Sequence, residues 1–117
     1  MKPAPIKSTV TLDDIEKLDI RVGTIQCVDD IPGSTKLVSL TVDFGDHMRT
    51  VLAGMKTERE NPSDIEGRQA LFVVNLPPRS MADRISEAML FDIGYEDDLT
   101  PVLAVPESPV PDGSRAG

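Results

Sequence analysis

Few residues of this 117-residue chain could perform covalent chemistry. It holds one histidine, His47, and one cysteine, Cys27, and no nucleophile–base arrangement is apparent. His47 stands beside an aspartate in a polar turn, so we expect a solvated residue, whereas Cys27 lies in an apolar run and is expected to be a small core hydrophobe. The sequence has no phosphate-binding glycine loop. The acidic run 95–98 lacks the glycine and the ligand spacing of a calcium loop. The sequence predicts a protein that is not an enzyme and that uses no metal or cofactor.

Cationic side chains are the remaining candidates for ligand binding, because nucleic acid is held largely through contacts to its phosphates. The net charge of −8 opposes unspecific binding of this kind. The charge is unevenly spread, however: residues 36–84 carry seven Lys or Arg against seven Asp or Glu, whereas residues 85–117 carry one against seven. We therefore expect any basic patch in the central region, where Lys36, Arg79 and Arg84 lie in polar loops.

Short strands separated by turn residues must position these cations. Residues 11–18 predict a short helix, which Thr11 caps with Asp14 three residues on. Apolar and β-branched runs predict strands at 20–28, 38–42, 48–52, 69–76, 86–93 and 102–105. A slip in the alternation of the first run predicts a bulge or sharp bend at Gly23. With one helical turn ending at Gly67, this pattern favours a small antiparallel Greek-key barrel.

Six separated motifs resemble those of a known family. They are LDIRVGTI at 18–25, PGSTKL at 32–37, VDFG at 42–45, LAGM at 52–55, EGRQALFVVNLPPRSM at 66–81 and SEAML at 86–90. Their order and spacing resemble the bacterial tRNA-binding domain family throughout residues 14–113. That family includes the C-terminal domain of methionyl-tRNA synthetase, free-standing tRNA-binding proteins and the export-related chaperones called CsaA.

The resemblance implies a fold class and a domain organisation. The expected fold is all-β, an OB-fold Greek-key β-barrel with short helices and a C-terminal extension used in dimerisation. Residues 1–13 would form an N-terminal arm, and residues 14–117 the tRNA-binding domain with its extended tail. The short free-standing members form homodimers, so a homodimer is expected here as well.

An OB barrel presents its ligand to the face of strands 2 and 3 and to the loops joining strands 1–2 and 4–5. These loops correspond to residues 31–36 and 75–86. Lys36 closes the first loop, and Arg79 and Arg84 lie in the second, where they would contact phosphates. An arginine of the strand 2–3 face and the family's Asn and Ser-Glu motif residues complete the site. The predicted RNA-binding residues are Lys36, Arg49, Asn75, Arg79, Arg84, Ser86 and Glu87.

Three departures from the family pattern bear on this site. Ala53 stands where a serine is frequent, Pro77 where a lysine is frequent, and Asp83 near the position of a glycine. The missing lysine and the added aspartate both weaken attraction for phosphate. Paired prolines at 77–78 also occur in CsaA-type members.

Recognition of a folded RNA is the leading interpretation. Only four aromatic residues occur, so stacking of a row of exposed bases is not expected, and contacts to the backbone and shape of folded tRNA are favoured. The alternative is a CsaA-like chaperone that binds unfolded preproteins, and a third possibility is a module that docks on an aminoacyl-tRNA synthetase. Without a secretory signal or a membrane-length apolar run, we expect a cytoplasmic protein with no membrane contact.

Overall fold

Ten short strands and a single α-helix make up the chain. A computed structural model describes all 117 residues. The elements are α1 (Leu12–Glu16), β1 (Ile20–Asp30), β2 (Val38–Asp43), β3 (Met48–Ala53), a 3₁₀ turn (Pro62–Ile65), β4 (Gln69–Val73), β5 (Arg79–Met81), β6 (Arg84–Ser86), β7 (Met89–Leu90), β8 (Asp92–Ile93), a second 3₁₀ turn (Tyr95–Asp97), β9 (Val102–Leu103) and β10 (Arg115–Ala116). Neither α1 nor the 3₁₀ turns are long and apolar enough to cross a lipid bilayer.

The main sheet is antiparallel and runs in the order β3-β2-β1-β4-β7, with β10 paired to β1 as well. Residues of this sheet and of the segments that cover its inner face form a cluster of thirteen buried apolar residues, among which Ile25, Leu40 and Phe72 are fully buried. Backbone and side-chain hydrogen bonds from residues 86–87 reach β3 and bring the two edges of the sheet together. The strand order and closure confirm the predicted OB-fold Greek-key barrel.

The helix α1 has the cap that the sequence predicts. Thr11 Oγ1 accepts the Asp14 N–H at 3.2 Å, and Asp14 Oδ2 accepts the Thr11 N–H at 3.2 Å. The hydrogen bond from the Thr11 backbone is the main reason why the pKa of Asp14 is lowered. Despite this cap, none of the five residues of α1 is buried.

The bulge in β1 lies between Ile25 and Cys27, and the prediction of a bulge at Gly23 is wrong. Gly23 pairs regularly with Ala70 and faces the core, where a Cβ would stand 2.5 Å from Val42 Cγ1. A glycine is needed there because β2 packs closely across it. The shift in register after Ile25 turns Cys27 to the surface, so the predicted core role of the cysteine is also wrong.

The C-terminal tail forms part of the barrel. It occupies the edge of β1 that β2 leaves free: the Val22 N–H donates to Ser114 O at 2.9 Å, and the Gly113 N–H donates to Val22 O at 2.7 Å. Thr24 Oγ1 donates to Asp112 Oδ1 at 2.6 Å. These contacts lie within one chain, and the use of the extension in dimerisation stays a prediction.

Candidate nucleic-acid interface

A groove of about 1170 Å³ opens where the β1–β2 loop, the segment after β3 and residues 89–97 meet. Lys36 lines it from the β1–β2 loop, and Arg79 lines it from β5. Both residues are exposed, and neither side chain makes a hydrogen bond or an ion pair within the chain. The fold therefore brings together one cation from each of the two predicted ligand loops.

Lys56 stabilises the β1–β2 loop, a role that its sequence context does not indicate. Lys56 Nζ donates to Ile31 O at 3.0 Å and to Ser34 O at 2.6 Å, and it forms an ion pair with Asp30 at 2.5 Å. The Lys56 ammonium is the main cause of the lowered pKa of Asp30. Lys56 is thus used to hold the loop, which leaves the neighbouring Lys36 free for a ligand.

The hairpin of β5 and β6 carries the other two cations. Arg79 pairs with Ser86, and Met81 pairs with Arg84. Since paired residues of an antiparallel ladder share a face and alternate residues return to it, Arg79 and Arg84 lie on the same face as diagonal neighbours. Both arginine side chains are exposed and make no contact with a carboxylate. The hairpin thus concentrates two unpaired positive charges beside the groove.

Ser86 and Glu87, in contrast, use their polar atoms to close the barrel. Ser86 is 5% exposed; its Oγ accepts the Leu52 N–H at 3.0 Å and donates to Ala88 O at 2.9 Å. Glu87 Oε1 accepts the Thr50 N–H at 2.8 Å, and the Glu87 N–H donates to Thr50 O at the same distance. This pair of residues joins β3 to the far edge of the sheet.

Arg49 is held by carbonyl groups at the surface of the barrel. Its Nη1 donates to Val74 O at 2.8 Å and to Glu87 O at 3.0 Å, and its Nε donates to His47 Nε2 at 3.0 Å. His47 Nδ1 lies 2.6 Å from Asp46 Oδ1. Because Nε2 accepts a hydrogen bond, the neutral tautomer with a proton on Nδ1 satisfies both contacts. The pKa of Asp46 is lowered chiefly by its hydrogen bond with His47.

Asn75 fixes the start of β1. Its Oδ1 accepts the Asp19 N–H at 2.9 Å, and its Nδ2 donates to Lys17 O at 2.7 Å. The seven predicted residues therefore fall into two sets. Lys36, Arg79 and Arg84 carry free cationic groups, whereas Arg49, Asn75, Ser86 and Glu87 have their polar groups engaged within the chain. RNA contact by any of them stays a prediction.

Two aromatic rings line the same groove, and sequence reasoning missed them. Phe91 is 44% exposed and Tyr95 is 68% exposed. The sequence signal was the alternation after β7, where Phe91, Ile93 and Tyr95 are separated by a polar residue or a glycine and so share one side of the segment. Phe91 and Tyr95 are the only exposed aromatic residues, so the groove lacks the row of rings on which single-strand binders stack successive bases.

Four carboxylates also line the groove, namely Glu58, Asp92, Glu96 and Asp97. Burial is the main cause of the raised pKa of Glu58 and of Asp92, and the charge of Asp92 raises that of Glu58 further. Phosphate is attracted by Lys36 and Arg79 and repelled by these carboxylates. No three His, Cys, Asp or Glu side chains are grouped as a metal site requires.

The chain is similar to several known proteins. Residues 20–115 match the family described as "Putative tRNA binding domain". The chain is 38% identical over 112 residues to methionine–tRNA ligase of Nitrosomonas europaea, covering 96% of this chain and 16% of the ligase. Its fold is similar to a MetRS-related protein from Pyrococcus horikoshii (TM-score 0.86, 31% identity, 95% and 100% of the two chains) and to chaperone CsaA from Bacillus anthracis (TM-score 0.79, 30% identity, 94% and 100%).

Proposed function

Because this chain belongs to the tRNA-binding domain family, we propose that it is a non-catalytic protein that recognises folded tRNA by shape and backbone contacts. The observation that carries the proposal is the convergence of Lys36 and Arg79 on one groove, with Arg84 beside Arg79 on the same hairpin face. All three cations are exposed and free of carboxylate partners. They suit phosphates that a folded RNA holds at fixed spacing.

The carboxylates of the groove favour recognition by orientation more than by affinity. A phosphate backbone held by Lys36 and Arg79 is repelled by Glu96 and Asp97, so it binds best in an orientation that keeps away from them. An extended single strand has no fixed spacing to match three cations, and it would gain little from so small a positive surface. We therefore expect preference for folded tRNA over unstructured RNA of equal length.

We also propose that the working form is a homodimer. Large apolar residues are exposed between β7 and the tail, and we call the three that do not line the groove the C-terminal face: Leu99, Val102 and Val105. Exposed apolar residues in such a group mark an interaction surface. A two-fold axis through this face would bury it against itself and present the three cations twice.

The test is a titration of purified protein with folded tRNA, a length-matched unstructured RNA and a denatured polypeptide, each at two salt concentrations. Salt-sensitive preference for folded tRNA supports the proposal. The double variant Arg79→Ala/Arg84→Ala should bind tRNA at least roughly tenfold more weakly. The slope of log affinity against log salt concentration should decrease by the equivalent of about two phosphate contacts. Arg68→Ala/Arg115→Ala removes the same charge from exposed positions outside the groove and serves as the control.

Equal loss of tRNA affinity in both double variants would show a general charge effect and contradict the site. Unchanged affinity in Arg79→Ala/Arg84→Ala would also contradict it. Circular dichroism of each variant checks that the barrel is folded. A cytoplasmic location, where tRNA is found, follows from the proposal.

A chaperone related to CsaA is the second candidate, and the C-terminal face favours it. An apolar surface with an acidic margin suits an unfolded segment that is itself apolar and basic. Binding of the denatured polypeptide without binding of either RNA would support this function. A third possibility is association with an aminoacyl-tRNA synthetase, since the chain spans 16% of the length of the ligase it matches. Co-purification of a synthetase would support that role.

A further inference from the structure

Two carboxylates of the groove have no partner within the chain. Glu58 lines the groove from the segment after β3, and Asp92 lines it from β8. Both are partly buried, and neither side chain accepts a hydrogen bond from another residue or forms an ion pair. Arg59 acts on both through its charge, yet it bonds to neither, and its buried Nε has no partner. Carboxylate oxygens that have lost water and gained no donor favour a ligand that brings N–H groups.

The same groove contains both exposed aromatic rings of the chain, Phe91 and Tyr95. Proteins that read unpaired bases combine a ring that stacks on the base with polar groups that bond to its Watson–Crick edge. The groove volume of about 1170 Å³ is no smaller than that of clefts that hold small organic ligands, roughly 300–1,000 Å³. The groove therefore has the room and both kinds of group that a base site needs.

The RNA bases differ in how well they suit a carboxylate. Guanine alone presents two adjacent donors, N1–H and the N2 amino group, which match the two oxygens of one carboxylate. Adenine and cytosine place a ring-nitrogen acceptor next to their amino group, and uracil places carbonyl oxygens on both sides of N3–H. An acceptor that faces a carboxylate is repelled and leaves both groups without a bond. Carboxylates in a base site thus select guanine.

Cations of the same groove suit the rest of a nucleotide. Lys36 and Arg79 are exposed, and their side chains have no partner in the chain. A phosphate held by these cations keeps the attached base within the groove, where the carboxylates would repel a second phosphate. One nucleotide therefore satisfies both signs of charge, because its phosphate suits the cations and its base suits the carboxylates.

We propose that the groove binds one unpaired guanine of a bound RNA, with the base stacked on Tyr95 and its two donors bonded to the carboxylates of Glu58 and Asp92. Lys36 and Arg79 bind the phosphate of the same nucleotide. The inference rests on the RNA binding proposed above and names the group of the RNA that the groove recognises.

Hairpin RNAs that differ in one unpaired loop nucleotide test this site. The loops carry guanosine, inosine, adenosine or cytidine at that position, and inosine keeps N1–H but lacks the N2 amino group. Fluorescence anisotropy at one salt concentration gives the Kd of each hairpin. The double variant Glu58→Gln/Asp92→Asn replaces both carboxylates with amides. Asp29→Asn/Glu107→Gln removes the same charge at exposed positions outside the groove and is the control.

We expect the parent and the control to bind the guanosine hairpin roughly tenfold more tightly than the adenosine hairpin, with inosine between them. Glu58→Gln/Asp92→Asn should bind all the hairpins about equally. The ratio of two Kd values is compared, so the greater attraction for phosphate that follows the loss of two carboxylates cancels. Tyr95→Ala should weaken every hairpin roughly tenfold and keep the preference for guanosine, because a ring stacks on any base.

Equal affinity of the parent for all the hairpins would overturn the guanine site, and so would a preference that Glu58→Gln/Asp92→Asn retains. Binding of folded tRNA would stand in either case. If the parent binds no RNA, the proposed function fails, and titration with guanosine and adenosine monophosphates decides the site. Preference for the guanine nucleotide would then assign the groove to a free nucleotide, whereas equal or absent binding would refute the site as well.

Discussion

Ser86 Oγ lies 3.0 Å from the amide nitrogen of Leu52, and the hydrogen bond between them joins segments that are 34 positions apart in the sequence. Both residues are buried. The contact stands where the two edges of the sheet meet, next to the backbone bond from Glu87 to Thr50. The Ser-Glu motif therefore stabilises the barrel that carries the hairpin cations.

Replacing Ser86 with alanine should destabilise the protein by about 1–3 kcal/mol, because the buried Leu52 N–H loses its acceptor. Urea denaturation followed by circular dichroism measures the free energy of unfolding. Ser80→Ala, at an exposed position of the same hairpin, is the control and should change it by no more than about 0.5 kcal/mol. Equal stability of the two variants would contradict the closing role of Ser86.

The turn of the β5–β6 hairpin can be improved. Ala82 and Asp83 have φ values of 50° and 61°, a conformation that suits Asn-Gly far better than Ala-Asp. The double change Ala82→Asn/Asp83→Gly should stabilise the protein by about 0.5–1 kcal/mol because it removes left-handed strain from two residues. Thermal unfolding measures the gain. A lower melting temperature would mean that the hairpin adopts another turn in solution.

Gly23 should not tolerate a side chain. A Cβ there would stand 2.5 Å from Val42 Cγ1 and 2.9 Å from Phe44 Cε1, so Gly23→Ala overpacks the core and should cost about 1–3 kcal/mol. Gly54→Ala is the matched control, since its Cβ would meet nothing within 4 Å. Chemical denaturation of both variants gives the comparison. A Gly23→Ala protein as stable as Gly54→Ala would disprove the close packing of β2 on β1.

Asp92 should make stability depend on pH in an unusual direction. Burial raises the pKa of Asp92 in the folded state, so the folded chain holds this proton more tightly than the unfolded chain does. Stability is then full at pH values below the ordinary aspartate pKa and falls as the pH rises through the raised value. Asp92→Asn removes this loss and also the charge that raises the pKa of Glu58.

The measurement is the melting temperature of Asp92→Asn and of the parent at pH 3 and pH 7, at one fixed protein concentration. The variant should be more stable than the parent at pH 7, and the difference should shrink at pH 3. Asp97→Asn, at an exposed position that lines the same groove, controls for the loss of a surface charge. A difference that grows toward pH 3 would refute the sign of this argument.

Several features followed from local sequence alone. Thr11 and Asp14 give the capping box, alternation gives most of the strands, and the glycines and prolines between them mark the turns. These features depend on residues within a few positions of each other, so they can be recognised from the sequence. The separated motifs added the family and with it the expected OB-fold barrel. Lys36, Arg79 and Arg84 were accessible for the same reason, because the stretches that contain them are polar. The predicted loop at 75–86 is wrong in part, since Arg79 and Arg84 lie in the paired strands β5 and β6.

The tertiary structure decided which polar groups are free. Three of the engaged residues bind backbone atoms at least 34 positions away: Asn75, Ser86 and Glu87. Arg49 binds backbone carbonyls 25 and 38 positions away. Such contacts depend on the register between distant strands, which a single sequence does not display. Likewise, a bulge of one residue turned Cys27 outward, because the faces of a strand alternate with every residue. The sequence by itself determined the elements and the family, and long-range register determined which side chains remain for a ligand.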